Sequence, residues 1–388
     1  MIKNSKQGTD LLYSLIAQAR NYSDAIIMGR GDPDFDTPPH IRAAAIEAMK
    51  VHGSDFTSIE GILPLREAIA DRVKRLNGID VDPLTEVVVT NGGQEALFLM
   101  VVTAIARGDE MIVPEPNYNT YTDALKFANG VKVSVPTYAR ENFRVNPERV
   151  LRAITPRTRA LLLVSPNNPT ANVITRPDME ALIALAAEHD LVLLADDIYD
   201  MFIYDGYQHV STGSLSGCKE RTMTLNALSK AFSMTGWRCG WVVGPAPLMA
   251  QFKQFKAAIN GNAPIVAQYA ALAALTGPQD DVERMRQTYI QRRKIVLDAL
   301  DDMGLQYGVP HGGQFVFVDI ANTGVGCVEL VQRILDEQHV LIYPGSSFAA
   351  GVDNYLRMTF LQPEDKLREG LARTKVVMEK VFAEKAAA

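Results

Sequence analysis

The chain has 388 residues, 47% hydrophobic and 22% charged, with a net charge of −6. This suits a globular protein of roughly two domains and gives no electrostatic reason to expect a nucleic-acid or membrane-surface partner. No apolar run reaches the ~20 residues of a bilayer span. The opening residues Met1 to Lys6 lack a following apolar core, so no secretory signal is expected. Cys218, Cys239 and Cys327 are too few and too scattered for a disulfide framework and fit a reducing cytoplasm. The histidines show neither i,i+4 pairing nor neighbouring cysteines, so no metal site is expected.

Residues 1 to about 25 pattern as an amphipathic helix with Leu11, Leu12, Leu15 and Ile16 on one face. The loop Gly29-Arg30-Gly31-Asp32-Pro33-Asp34-Phe35-Asp36-Thr37-Pro38 follows. It reads as a surface connector, or as a turn at Gly31 that lets a ligand approach the backbone. From about residue 42 helical patterns alternate with short β-rich runs. Strands are expected near 86–91, 110–114, 131–135, 159–165, 191–196, 221–226 and 240–244. Ala160-Leu161-Leu162-Leu163-Val164 is apolar at every position, as in a mainly parallel sheet covered by helices on both faces. Thr175-Arg176-Pro177-Asp178 resembles a capping box opening a helix through Met179, Leu182, Ile183 and Ala186. A charged helix is expected over 280–303. Strands near 315–320, 340–343 and 355–360 then mix with helices near 326–338 and 363–384. The expectation is an α/β protein. A large domain over 45–285 holds a mostly parallel seven-stranded sheet between helices. A smaller α+β domain over 286–388 is completed by the segment 1–44.

Chemistry-bearing residues collect at the ends of the expected strands, where open α/β sheets bind ligands. Ser229-Lys230-Ala231-Phe232 places a lysine in a small, apolar run, with Arg238 eight residues on. Lost solvation there disfavours the ammonium and leaves a nucleophilic amine; a buried stem with a snorkelling head is the alternative. Thr90-Asn91-Gly92-Gly93-Gln94 is a strand end, two glycines and a helix start, a place for backbone N–H groups to take a phosphate. It lacks the spacing of a dinucleotide fold or a P-loop. Asn168 lies in a turn after a buried strand, and Asp196-Asp197 closes an apolar one. A buried carboxylate must be paired; its role is either a helix cap or a partner for a cofactor cation. Arg357 sits within an apolar strand, either facing solvent or holding a carboxylate in bidentate fashion. Together, a reactive lysine, a phosphate cradle, a buried carboxylate and a carboxylate-binding arginine are the parts for pyridoxal phosphate acting on an amino acid. There is no GxSxG turn to support a serine hydrolase.

These segments, in this order from Gly29 to Arg357, resemble the class I/II aminotransferases of fold type I. The resemblance implies Lys230 as the Schiff-base lysine. It implies a phosphate site from Ser229, Arg238 and the turn Gly92, Gly93 and Gln94, and Asp196 opposite the pyridine nitrogen. Tyr199 and Asn168 would bond the ring oxygen and Tyr118 would stack on the ring. Arg357, with Gly31 and Asn168 beside it, would hold the substrate carboxylate. It further implies ping-pong transfer from an amino acid to a 2-oxo acid, with pyridoxamine 5'-phosphate as the alternate cofactor form, in a homodimer with shared active sites. A β-lyase, cyclase or oxidase would use the same residues, and a non-catalytic binding protein could keep the same scaffold. Tyr121, Met234 and Trp237 are candidates either for an aromatic or neutral substrate pocket or for core packing. Arg30 either reads a side-chain carboxylate or faces solvent. Three positions depart from the family pattern: Phe56 for tyrosine, Ala171 for glycine and Ala227 for a residue that is usually Ser, Thr or Gly. Two phosphate-directed hydroxyls are thereby missing, and weaker cofactor retention is expected.

Overall fold

The computed structural model describes residues 8–387, with side chains from residue 11. The N-terminal helix runs Gly8–Ala19 and buries Leu15, with Leu11, Leu12 and Ile16 packed partly behind it. The expected portion before residue 8 lies outside the described residues. The helix stops short of residue 25 because Asn21 and Tyr22 turn back onto the Gln18 and Ala19 carbonyls.

All seven strands expected before residue 245 form, with ends within one or two residues. After β1 (Ile26–Ile27) come β2 (Val87–Thr90), β3 (Glu110–Glu115), β4 (Val131–Pro136), β5 (Thr158–Val164), β6 (Val192–Asp196), β7 (Thr222–Ala227) and β8 (Gly240–Val243). They make one sheet in the order β2-β8-β7-β6-β5-β3-β4. It is parallel except at β8, which runs antiparallel to both neighbours. The all-apolar run of β5 follows from its position. Ala160, Leu162 and Val164 face one core with Leu97, Met100 and Phe252 of the helices Gly93–Ala104 and Ala246–Ile259. Leu161 and Leu163 face the other with Met179, Leu182 and Ile183 of Arg176–Glu188. Each leucine so buried contributes roughly 1.5–3 kcal/mol.

Downstream, β9 (Gln306–Tyr307), β10 (Phe315–Asp319), β11 (Val340–Leu341), β12 (Tyr343–Pro344) and β13 (Tyr355–Thr359) follow the long helix Asp280–Asp302. Four of them form a sheet ordered β12-β13-β10-β9. The single strand expected at 340–343 is two. β11 pairs in parallel with β1, and after Ile342 the chain changes partner so that β12 pairs antiparallel with β13. Helices Cys327–Gln338 and Glu364–Ala387 complete the region. The expected capping box at Thr175 does not form. Its hydroxyl donates to Asp178 Oδ2 at 3.1 Å instead of accepting from the backbone, and that carboxylate also binds Arg144.

Candidate active site

The carboxyl ends of β5, β6 and β7 open into one cavity of about 290 Å³. Gly31, Gly93, Gln94, Tyr118, Asn168, Asp196, Tyr199, Ser229, Lys230, Arg238 and Arg357 all line it. Of the residues expected to hold the cofactor or the substrate carboxylate, only Gly92 is not at the wall. Its φ of +80° turns the chain beneath Arg238, and a Cβ there would lie 2.7 Å from the guanidinium. Only glycine tolerates both the conformation and the approach.

Gly92 caps the helix Gly93–Ala104 without a side-chain hydrogen bond. The first N–H groups of that helix therefore keep their capacity for an anion at the positive end of the helix dipole. Arg238, itself left-handed at φ +57°, arches over them. It is held by the Thr235 carbonyl at 3.0 Å and the Asn91 carbonyl at 3.2 Å. Asn91 is fixed in turn by Glu95, which accepts from its backbone N–H and, at 2.7 Å, from its side-chain amide. Gln94 accepts a hydrogen bond from the Tyr118 hydroxyl at 3.2 Å, which places that ring at the cavity rim.

Lys230 is the penultimate residue of the short helix Leu228–Ala231 that follows β7. Its Nζ donates to the Gly31 carbonyl at 2.6 Å and stands 3.8 Å from Asp32 Oδ1. Burial pushes its ammonium pKa down to about 8, against the opposing pull of Asp32. Asp196, closing β6, is buried, and its pKa is raised to about 6 by lost solvation. Both oxygens are engaged. Oδ1 accepts from Ile198 N–H at 3.1 Å and Oδ2 accepts from the Tyr121 hydroxyl at 2.8 Å. Tyr199 is buried beside it, edge-on to Phe315, and burial raises its phenol pKa. Ser229 is buried at the same wall, its carbonyl accepting from Thr235.

Arg357 is 5% exposed, which settles the strand ambiguity in favour of an inward side chain. Phe315, Tyr343 and Phe348 surround its guanidinium at 4.6, 5.1 and 4.7 Å from their ring centroids. It donates to Asn168 Oδ1 at 2.8 Å and to the Gly29 carbonyl, and its Nε is buried with no hydrogen-bond partner among the described residues. Desolvation lowers its pKa to about 10. Gly31 passes so close that a Cβ would lie 3.2 Å from the Phe315 ring and 4.0 Å from the guanidinium.

The remaining candidates sort differently. Tyr121 and Met234 are wholly buried, and neither they nor Trp237 line the cavity. Tyr121 serves Asp196, while Trp237 donates its indole N–H to Thr37 at 3.0 Å. Arg30 is largely exposed and is paired with Asp32. Phe56 is 86% exposed and stands away from the cavity wall. Ala227 packs beneath the glycine turns: its methyl lies 3.7 Å from where a Gly93 Cβ would sit and 3.0 Å from a Gly240 Cβ. Ala171 adopts φ +58°, a left-handed conformation costing roughly 1–2 kcal/mol without glycine. Residues not singled out beforehand are Asp32, Thr235 and Phe315 at the wall, and the buried pair Glu95 and Lys256 behind the Asn91 turn. A carboxylate beside Gly31 was visible in the sequence; the Glu95–Lys256 contact spans 161 positions and left no local signal.

The family profile described as "Aminotransferase class I and II" matches residues 23–373. The chain belongs to the class I and II aminotransferases. An aromatic-amino-acid aminotransferase of Thermococcus litoralis is 38% identical over 370 residues, 95% of this chain and 94% of that one. An aspartate aminotransferase of Pyrococcus abyssi is 39% identical over 371 residues, again 95% and 94%. The crystal structure of an aromatic aminotransferase from Pyrococcus horikoshii superposes with a TM-score of 0.90 at 37% identity, covering 94% of this chain and 99% of that one. The aminotransferase fold, with its mainly parallel seven-stranded sheet, is thus common to this chain and its solved relatives.

Proposed function

We propose that this aminotransferase holds pyridoxal 5'-phosphate in the 290 Å³ cavity and moves an amino group from a neutral or aromatic L-amino acid to a 2-oxo acid. The observation that carries the reading is Lys230: a lysine with its side chain only 14% exposed, sharing one cavity with a buried carboxylate, an uncapped helix N-terminus and a buried arginine. The donor set fits the cofactor. The N–H groups of Gly93 and Gln94, with Ser229 and Arg238, would hold its phosphate. Asp196 would face its ring nitrogen, Tyr199 and the Asn168 amide its ring oxygen, and Tyr118 its ring face. Bound there, the cofactor supplies an electron sink for the breaking Cα–H bond.

The chain's own residues do the rest. Arg357 takes the substrate α-carboxylate through its fork, pre-aimed by Asn168 and Gly29. Asp196, fastened at both oxygens, offers a fixed negative charge deep in the site. Lys230, whose amine is neutral over a useful pH range, carries the proton to and from the substrate Cα. Help of this kind is typically worth ~10²–10⁴-fold. The neutral-donor reading rests on the cationic wall, where Lys230, Arg238 and Arg357 already have tasks and Arg30 is paired with Asp32.

We also propose a homodimer. A groove of about 860 Å³, lined by Leu12, Tyr13, Phe98, Phe127 and Ile259, opens beside Tyr118 and Arg238. The pairing of β1 with β11 supports assigning residues 1–44 and 286–388 to one domain and 45–285 to another. Three buried free cysteines fit a cytoplasmic setting. The test is Lys230→Ala: reconstituted with pyridoxal phosphate, it should fold normally and lose amino transfer by at least ~10²-fold. Transfer at the wild-type rate would refute the assignment.

A further inference from the structure

Lys256 is fully buried, an expensive place for an ammonium unless it is paired. It lies on the helix Ala246–Ile259, outside the cavity wall. Its Nζ donates to Glu95 Oε1 at 3.0 Å and to Asn260 Oδ1 at 3.3 Å. Glu95 is in the first turn of the helix Gly93–Ala104, with its side chain 9% exposed. Its other oxygen clamps Asn91, whose carbonyl receives Arg238 at 3.2 Å.

A carboxylate in this turn has two opposite effects. It fixes the strand-to-helix turn and, through Asn91, one edge of the Arg238 guanidinium. It also places a negative charge beside the N–H groups meant for an anion. In a partly desolvated site such a charge weakens anion binding. Lys256 is the only cation in contact with Glu95 among the described residues.

We propose that Lys256 and Glu95 are positioning residues for the phosphate site: Glu95 sets the Asn91 turn and Arg238, and Lys256 cancels the charge that this clamp would otherwise turn against the cofactor phosphate. The inference rests on the assignment of the cavity to pyridoxal phosphate. Neither side chain lines the cavity, so both act through neighbours.

The experiment compares the affinities of pyridoxal phosphate and of pyridoxal, which lacks the phosphate. Both are read by visible absorbance titration of the apoprotein, with folding followed by circular dichroism. Lys256→Met leaves Glu95 charged and unpaired. It should weaken pyridoxal phosphate binding roughly tenfold or more and change pyridoxal binding by less than about threefold. The double variant Lys256→Met/Glu95→Gln has no net charge and should return to within about threefold of wild type for both ligands. Should the single variant fail to fold, Lys256→Gln takes its place: it keeps a hydrogen-bond donor toward Glu95 and Asn260 but removes the charge. It should weaken pyridoxal phosphate binding by about threefold or more, with no such loss for pyridoxal. Equal weakening for both ligands, or no weakening of pyridoxal phosphate binding in the folded Lys256 variant, would overturn the proposal. Absence of pyridoxal phosphate binding by wild type would instead overturn the cofactor assignment.

Discussion

Tyr121→Phe removes one hydroxyl from a wholly buried ring and leaves the packing otherwise unchanged. That hydroxyl donates to Asp196 Oδ2 at 2.8 Å, leaving Ile198 N–H as the other donor to the carboxylate. Hydrogen bonds to charged groups contribute about 1.5–3 kcal/mol. About 1.4 kcal/mol corresponds to one pH unit in a titration midpoint. Burial already raises Asp196 from 3.8 to about 6, with Tyr121 and Ile198 holding it down. Without Tyr121 the midpoint in the apoprotein should rise by roughly one to two further pH units. The sign for stability follows. A carboxyl that holds its proton more tightly folded than unfolded stabilises the fold at low pH, and that contribution is lost as pH rises from 3.8 through the folded midpoint. In the variant the loss continues to higher pH. The gap to wild type in apoprotein unfolding free energy should therefore widen between about pH 5 and 8, by about 1.5–3 kcal/mol. Carbon-13 NMR of labelled aspartate reports the midpoint, and chemical denaturation reports the stability. A folded variant whose Asp196 midpoint stays at the wild-type value would refute the reasoning.

Two further predictions concern the substrate side of the cavity. Arg357→Lys keeps the charge but loses the fork and the tie to Asn168, so KM for the amino acid should rise roughly 10- to 100-fold; steady-state kinetics showing an unchanged KM would contradict the carboxylate role. Asp32→Asn removes the charge that stabilises the Lys230 ammonium, so the midpoint of Lys230 reactivity in the apoprotein should fall below about 8. The pH dependence of amine labelling, followed by mass spectrometry, checks this, and a midpoint that stays put or rises would count against it.

Much of this architecture was legible because it is periodic. The apolar run of β5 has alternate residues in two separate cores, and that burial on both faces is why the strand reads as a two-sided parallel one. The cavity residues were legible because they recur in a fixed order, Asp196 and Lys230 at or just past strand ends and Arg357 inside an apolar strand, so all three could be chosen before their neighbours were known. What escaped was long-range. Tyr121 reaches Asp196 across 75 positions, and nothing near it in sequence distinguishes it from a packed core tyrosine. Lys256 and Glu95 lie on two different helices and meet only when both pack on the same face of the sheet. The two-residue pairings of β11 and β12 carry too little pattern to divide one apolar run between two sheets.

The central claim is that the amino group is transferred rather than released. It is tested most directly by mixing the pyridoxal phosphate-loaded enzyme with a single neutral or aromatic amino acid and no acceptor. The account predicts one 2-oxo acid per active site and no free ammonia, with the visible absorbance restored when a second 2-oxo acid is added. Continuous release of ammonia or peroxide in the absence of an acceptor would contradict it.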